Sequence, residues 1–160
     1  MERAALEIAL WREVSRHLRI EESAVNLLPI LRDMLGADGV LVRRVDPVGQ
    51  RLETAALAGS LQVAATVEAG VPPARWGGLM AWLAAGTLLH RPAAALAAAL
   101  PGLLPAPVRG DLVAVPLAQD GAIAGALVLH APVAFEAAKA ALAAVLAGPF
   151  AVALANDRRL

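Results

Sequence analysis

The chain has 160 residues, enough for one domain, because a domain of this size buries roughly 70% of the surface its unfolded chain exposes. It is 59% hydrophobic with a mean hydropathy of +0.63, yet much of that is alanine, which contributes little transfer energy beside Leu, Ile or Val. Fourteen basic residues balance fourteen acidic ones, so the basic field that holds a nucleic-acid backbone is missing, and without cysteine there are no disulfides, thiolate metal sites or cysteine nucleophiles.

Leu6, Leu10, Val14 and Leu18 recur every four positions, with Ile8 and Trp11 beside them, which predicts an amphipathic helix. Charges interleaved from Glu2 to Arg19 argue against an export signal and, with the absence of cysteine, for a cytoplasmic protein. A second helix is predicted from Glu22 to Leu35, kinked at Pro29 or starting later with Asn26 as its cap, and stopped by Gly36.

The period then changes. VLVRRV (Val40 to Val45) and RLETAAL (Arg51 to Leu57) flank the turn signal Asp46-Pro47-Val48-Gly49 and predict two antiparallel strands. A further strand is expected across Gln62 to Glu68, then a helix over Ala74 to Ala85 ended by Gly86, a short strand at Thr87 to Arg91 and a short helix at Ala93 to Leu100. Leu112 to Ala118 and Ala122 to Ala131 form a hairpin around Asp120-Gly121, and Phe135 begins a final helix that runs to Asn156. Within it Ala140 to Ala155 is uncharged, but this run falls short of the roughly 18 to 20 residues of a membrane span and contains Gly148-Pro149, so no membrane insertion is expected.

The hairpin is apolar on both faces, which requires a cover on each side. Ala122, Ala124, Ala126 and Val128 alternate with Ile123, Gly125, Leu127 and Leu129. The expectation is that the terminal helices pack on the small alanine face, and that the segment Trp76 to Leu104 roofs the bulkier one over a pocket. Pro116 and Gly125 suit edge, bulge or close-approach positions.

These segments resemble the GAF domains, small-molecule sensor modules of bacterial signalling proteins. LVAVPL (Leu112 to Leu117), a short turn and AIAGALVL (Ala122 to Leu129) are similar to that family's paired strands. The stretch from Ala134 to Leu160 resembles its long terminal helix, and LLPILRDMLGADGVLVRRVD (Leu27 to Asp46) its first helix and strand, so the likeness covers nearly the whole chain. The resemblance implies one α+β domain over 1–160. It would comprise an N-terminal helix (1–20), a core (21–135) with a five- or six-stranded antiparallel sheet, and a C-terminal signalling helix (136–160).

It also implies terminal helices on one face, a ligand cavity under a roof of loops and short helices on the other, and an attached output domain. The likeness is greatest to the N-terminal sensors of AAA+ enhancer-binding transcription activators, and a kinase or a cyclic-nucleotide-making enzyme could carry the same module. The missing cysteine excludes the methionine sulfoxide reductase and bilin-linked versions, and no Asn-Lys-X-Phe-Asp-Glu signature supports a cyclic nucleotide.

No catalytic or metal constellation and no cofactor is expected. His17, His90 and His130 share no metal-ligand spacing and are read as structural or surface residues. If an unidentified small molecule binds, Trp76, Met80 and Trp82 on the lid helix, with His90 and Arg91 at the roof, are the candidates, and otherwise the aromatic residues plug the core. Arg43 and Arg44 must face opposite sides of their strand, and a buried one would want an anion or a carboxylate such as Glu53. The alternative function is a ligand-free homodimerisation module, in which Leu6, Leu10, Val14, Leu142 and Leu146 form a bundle across a two-fold axis.

Overall fold

The computed structural model of the chain describes residues 2–16, 19–61 and 70–158, so His17 and the strand expected at Gln62 to Glu68 lie outside the described residues. Helices α1 (Glu2–Val14) and α2 (Ile20–Leu35) precede strands β1 (Gly39–Asp46) and β2 (Arg51–Gly59). Then come α3 (Pro73–Ala85), β3 (Leu89–Pro92), α4 (Ala93–Ala99), β4 (Asp111–Gln119) and β5 (Ala122–Ala131). Helix α5 (Ala137–Leu142), a 3-10 turn (Ala143–Leu146) and α6 (Ala147–Arg158) complete the described chain.

The strands form one five-stranded sheet in the order β2-β1-β5-β4-β3, antiparallel at every pairing, as expected for this α+β arrangement. Asp120 and Gly121 take φ of 53° and 78°, the left-handed pair with which a two-residue loop matches the twist of its strands. Strand β3 reaches only Asp111 to Ala114, so Pro116, which lacks an N–H, lies on the stretch of β4 left unpaired on that side.

Both faces are covered, but in the opposite assignment to the one expected. Leu127 and Leu129, with Val113, Val115, Val40 and Val42, pack against α1, α2, α5 and α6. Ala126 and Val128, with Leu41, Leu112 and Ala114, lie under Trp76, Leu79, Leu83, Leu96 and Leu103 of the roof. The roof supplies its own bulk and settles onto small residues, whereas the helix layer needs leucines from the sheet to fill the space between them. Between Leu117 and Ala118 the register shifts past Ala124, leaving Ala124 against the helices and Ile123 against the roof, so the simple alternation fails at the bulge.

The final helix is not continuous. Pro149 cannot donate to the carbonyl four residues back and its ring crowds that turn, and the chain accommodates it with the 3-10 turn at Ala143–Leu146. Taken together, the helical run Ala137–Asp157 has 21 residues and a mean hydropathy of 1.8, long and apolar enough by length and composition to cross a membrane. The sequence expectation was too short on this count. Leu146, Phe150, Ala151, Ala153 and Leu154 of this run are nonetheless buried in the helix-layer core, as in a core helix.

Candidate functional site

The residues named from the sequence do not converge. Trp76 is buried in the roof, with Met80 and Trp82 partly buried beside it, and the Trp82 indole N–H donates to the Thr87 carbonyl at 2.8 Å. His90 was expected at the roof beside Arg91. Instead it pairs with Val113, whose side chain belongs to the helix-layer core, and its Nε2 lies 2.6 Å from Asp111 Oδ2 with its ring edge-on to Phe135. Strand alternation therefore sends His90 and Arg91 to different faces, and Arg91 is exposed.

The arginine pair also separates. Arg43 is 1% exposed on the roof face and donates to Thr54 Oγ1 at 2.6 Å and to the Gly102 carbonyl at 3.4 Å. Thr54 sits opposite Arg43 across the strand pair, while the expected partner Glu53 is opposite Arg44 and bound to Arg51. Arg44 points into the helix layer, where Asp157 and the Leu154 carbonyl hold it.

A different group of residues does meet. A hollow of about 340 Å³ opens at one end of the sheet between Ser60, Pro107, Val108, Arg109 and His130. Ser60 Oγ lies 2.6 Å from His130 Nδ1, and His130 Nε2 lies 2.6 Å from the Arg109 carbonyl. The register explains the meeting. Gly39 of β1 pairs with Gly59 on one side and His130 on the other, and a β-carbon on Gly39 would collide with Ser60 Oγ. With no side chain between them, Ser60 reaches across β1 to the histidine.

The backbone fixes this geometry: Asp38 N–H donates to the His130 carbonyl at 2.7 Å, and the Asp38 carbonyl accepts from Ser60 N–H at 2.9 Å. His130 is 7% exposed, while Ser60 and Arg109 face solvent. The arrangement offers a hydroxyl, an imidazole and a cationic side chain beside the apolar wall of Pro107 and Val108, which suits a small polar molecule with an apolar part. Among the described residues no group of acidic and histidine side chains is arranged to hold a metal ion. Sequence reading missed Ser60 and Arg109 because nothing local marks them; the available signal was their position beside Gly59 and Gly110, at the ends of predicted strands.

No family model matches the sequence, and no curated protein matches it. Solved structures do. The GAF domain from Acinetobacter phosphoenolpyruvate-protein phosphotransferase is 13% identical with a TM-score of 0.65, covering 98% of this chain and 95% of that one. Free methionine-R-sulfoxide reductase from Neisseria meningitidis, solved with its substrate, is 17% identical with a TM-score of 0.63, covering 98% and 90%. The phycocyanobilin-bound GAF domain from a cyanobacterial phytochrome is 14% identical with a TM-score of 0.62, covering 98% and 96%. The fold of this chain is that of the GAF domains.

Proposed function

We propose that this chain is a small-molecule-sensing regulatory domain of a bacterial signalling protein. It works in the cytoplasm, within a transcription regulator, and passes its ligand state to an output domain through its terminal helices. The observation that carries the reading is that one strand reaches both ends of the path: β5 carries His130 next to its last residue, at the hollow, and its Leu127 and Leu129 lie in the core beneath α1 and α6. A ligand that binds one arrangement of that strand more tightly than another biases the helices by the same free energy. Likeness to a bilin-bound phytochrome domain and to a domain of a phosphotransferase supports a ligand-holding module of a larger protein. Turnover forms no part of the reading, since the chain has no cysteine for thiol chemistry.

The test is a thermal-shift screen of the chain against small metabolites, followed by hydrogen exchange. A ligand at a hundred times its Kd adds about 2.7 kcal/mol, or roughly 5 to 10 °C in a domain of this size. Slower exchange in α1 and α6 is expected with it. Ligands that stabilise the hollow yet leave both helices unchanged would defeat the regulatory reading.

One observation favours homodimerisation as a second reading. Of the residues expected to form the bundle, Leu6, Leu10, Val14 and Leu146 are buried within the monomer and Leu142 is partly buried, so a dimer contact needs other side chains. Ile8 and Trp11, 58% and 45% exposed on the outer side of α1, are apolar side chains that a second copy could cover. Light scattering that gives a monomer at high concentration would eliminate it.

A further inference from the structure

The Ser60–His130 pair also constrains what the hollow can accept, and the inference rests on the reading of that hollow as the ligand site. A neutral imidazole has one N–H. The Arg109 carbonyl, 2.6 Å from Nε2, can only accept, so the ring proton is on Nε2 and Nδ1 is a bare acceptor. Ser60, 2.6 Å from Nδ1, must then donate its only hydroxyl hydrogen to the ring. In that state Ser60 offers the hollow lone pairs alone, which repel an anion.

A proton on Nδ1 reverses the arrangement. Both ring nitrogens then donate, Ser60 Oγ accepts from Nδ1, and its own hydrogen is free to turn into the hollow. An imidazolium and a hydroxyl donor then meet at one small space lined by Pro107, Val108 and Arg109, whose exposed side chain is free to carry its charge to a bound anion.

We infer that the hollow binds a small organic acid as its carboxylate, and that each anion is taken up together with one proton, carried on His130 and relayed through Ser60. No bond other than that to the proton is made or broken, and the proton comes from solvent. The charged groups around His130 agree with this. Arg109, on the loop before β4, has no ion-pair partner among the described residues. Asp38, whose N–H holds the His130 carbonyl, has its carboxylate 3.5 Å from Arg32. Asp111 is turned to His90 and to the Phe135 N–H. A ligand carboxylate would therefore meet cations and donors here, with the two nearby acids already engaged.

The experiment uses sodium benzoate as the probe and sodium chloride as the control, with the whole chain. Calorimetry near pH 8 in buffers of different ionisation enthalpy counts the protons, and amide NMR locates the site. Expected are saturable shifts at Ser60, Arg109 and Gly110, uptake approaching one proton per benzoate, and affinity that tightens as the pH falls from 8. Ser60 and Arg109 are exposed, so Ser60→Ala and Arg109→Gln can be made without disturbing the core. Arg109→Gln should lose binding, and Ser60→Ala, which removes the hydroxyl between Nδ1 and the hollow, should bind more weakly while still taking up a proton on His130.

Benzoate binding without proton uptake, binding unchanged in either variant, or no saturable shift at these amides overturns the inference. The two readings fail separately. Proton-linked benzoate binding that leaves α6 unmoved sinks the sensor reading alone, while neutral compounds that bind here and shift α6 sink only the anion inference.

Discussion

The Asp157 carboxylate at the end of α6 meets the Arg44 guanidinium of β1 at 3.3 Å, and less than a fifth of either side chain is exposed. Its other oxygen accepts the Ile20 N–H that opens α2, at 3.0 Å. One side chain therefore joins the last helix, the second helix and a central strand. Asp157→Ala should cost about 1–3 kcal/mol, because it strands a mostly buried guanidinium and a helix N–H. In a domain of this size the melting temperature should fall by about 2–4 °C for each kcal/mol. Asp157→Asn, which keeps an acceptor for Ile20, should cost less, and equal losses in the two melts would contradict this account.

Gly125 is a contact rather than a spacer. A β-carbon there would collide with the Arg43 carbonyl and lie 3.2 Å from Leu154 Cδ2. Gly125→Ala should destabilise the domain by roughly 1–3 kcal/mol through overpacking, with NMR shifts spreading into both β1 and α6. Denaturant melts of the wild type and the variant that coincide would refute the close approach.

Asp111 Oδ2 accepts the Phe135 N–H at 2.8 Å and lies 2.6 Å from His90 Nε2, tying the edge strand to the segment that leads into α5. Since a carboxylate only accepts, His90 donates through Nε2. Asp111→Ala should cost about 2 kcal/mol for the N–H left unmet. His90→Ala should cost less, because the Phe135 bond survives it. The two melts test that order.

Asp46 provides the pH prediction. The Gly49 N–H donates to its carboxylate at 3.2 Å, and Arg51 bonds to it at 3.1 Å. The Gly49 backbone bond is the largest effect and outweighs the desolvation that opposes it, and Arg51 adds to it, so the pKa lies below the ordinary 3.8. A carboxyl group lowered in the folded state stabilises the fold above its unfolded value and loses that contribution as pH falls through the folded one. Carboxyl NMR should give a midpoint for Asp46 below 3.8, moving up toward it in Arg51→Ala. A midpoint at or above 3.8 in the wild type would refute the capping role.

Much of this architecture was legible in the residues themselves. Asp120-Gly121 between two apolar runs specified a tight hairpin, because a left-handed pair suits that loop, and the helical spacing of Leu6, Leu10 and Val14 marked a face that is indeed buried. An apolar hairpin on both faces announced two covering layers, and both are present. Pro149 counted only against a membrane span and the final helix was expected to run through it, so neither the interruption nor the 3-10 turn that absorbs it was predicted.

What the sequence determined by itself was relative: alternation sorts β5 into Ala126 with Val128 and Leu127 with Leu129, and it separates Arg43 from Arg44. Which set meets the helices and which the roof was decided only by packing, since period two carries no absolute direction and a single bulge at Ala124 resets it. The Ser60–His130 contact lay further out of reach. It joins residues 70 positions apart, and it exists because the register sets a side-chain-free Gly39 between two strand ends, a coincidence that only the paired strands create.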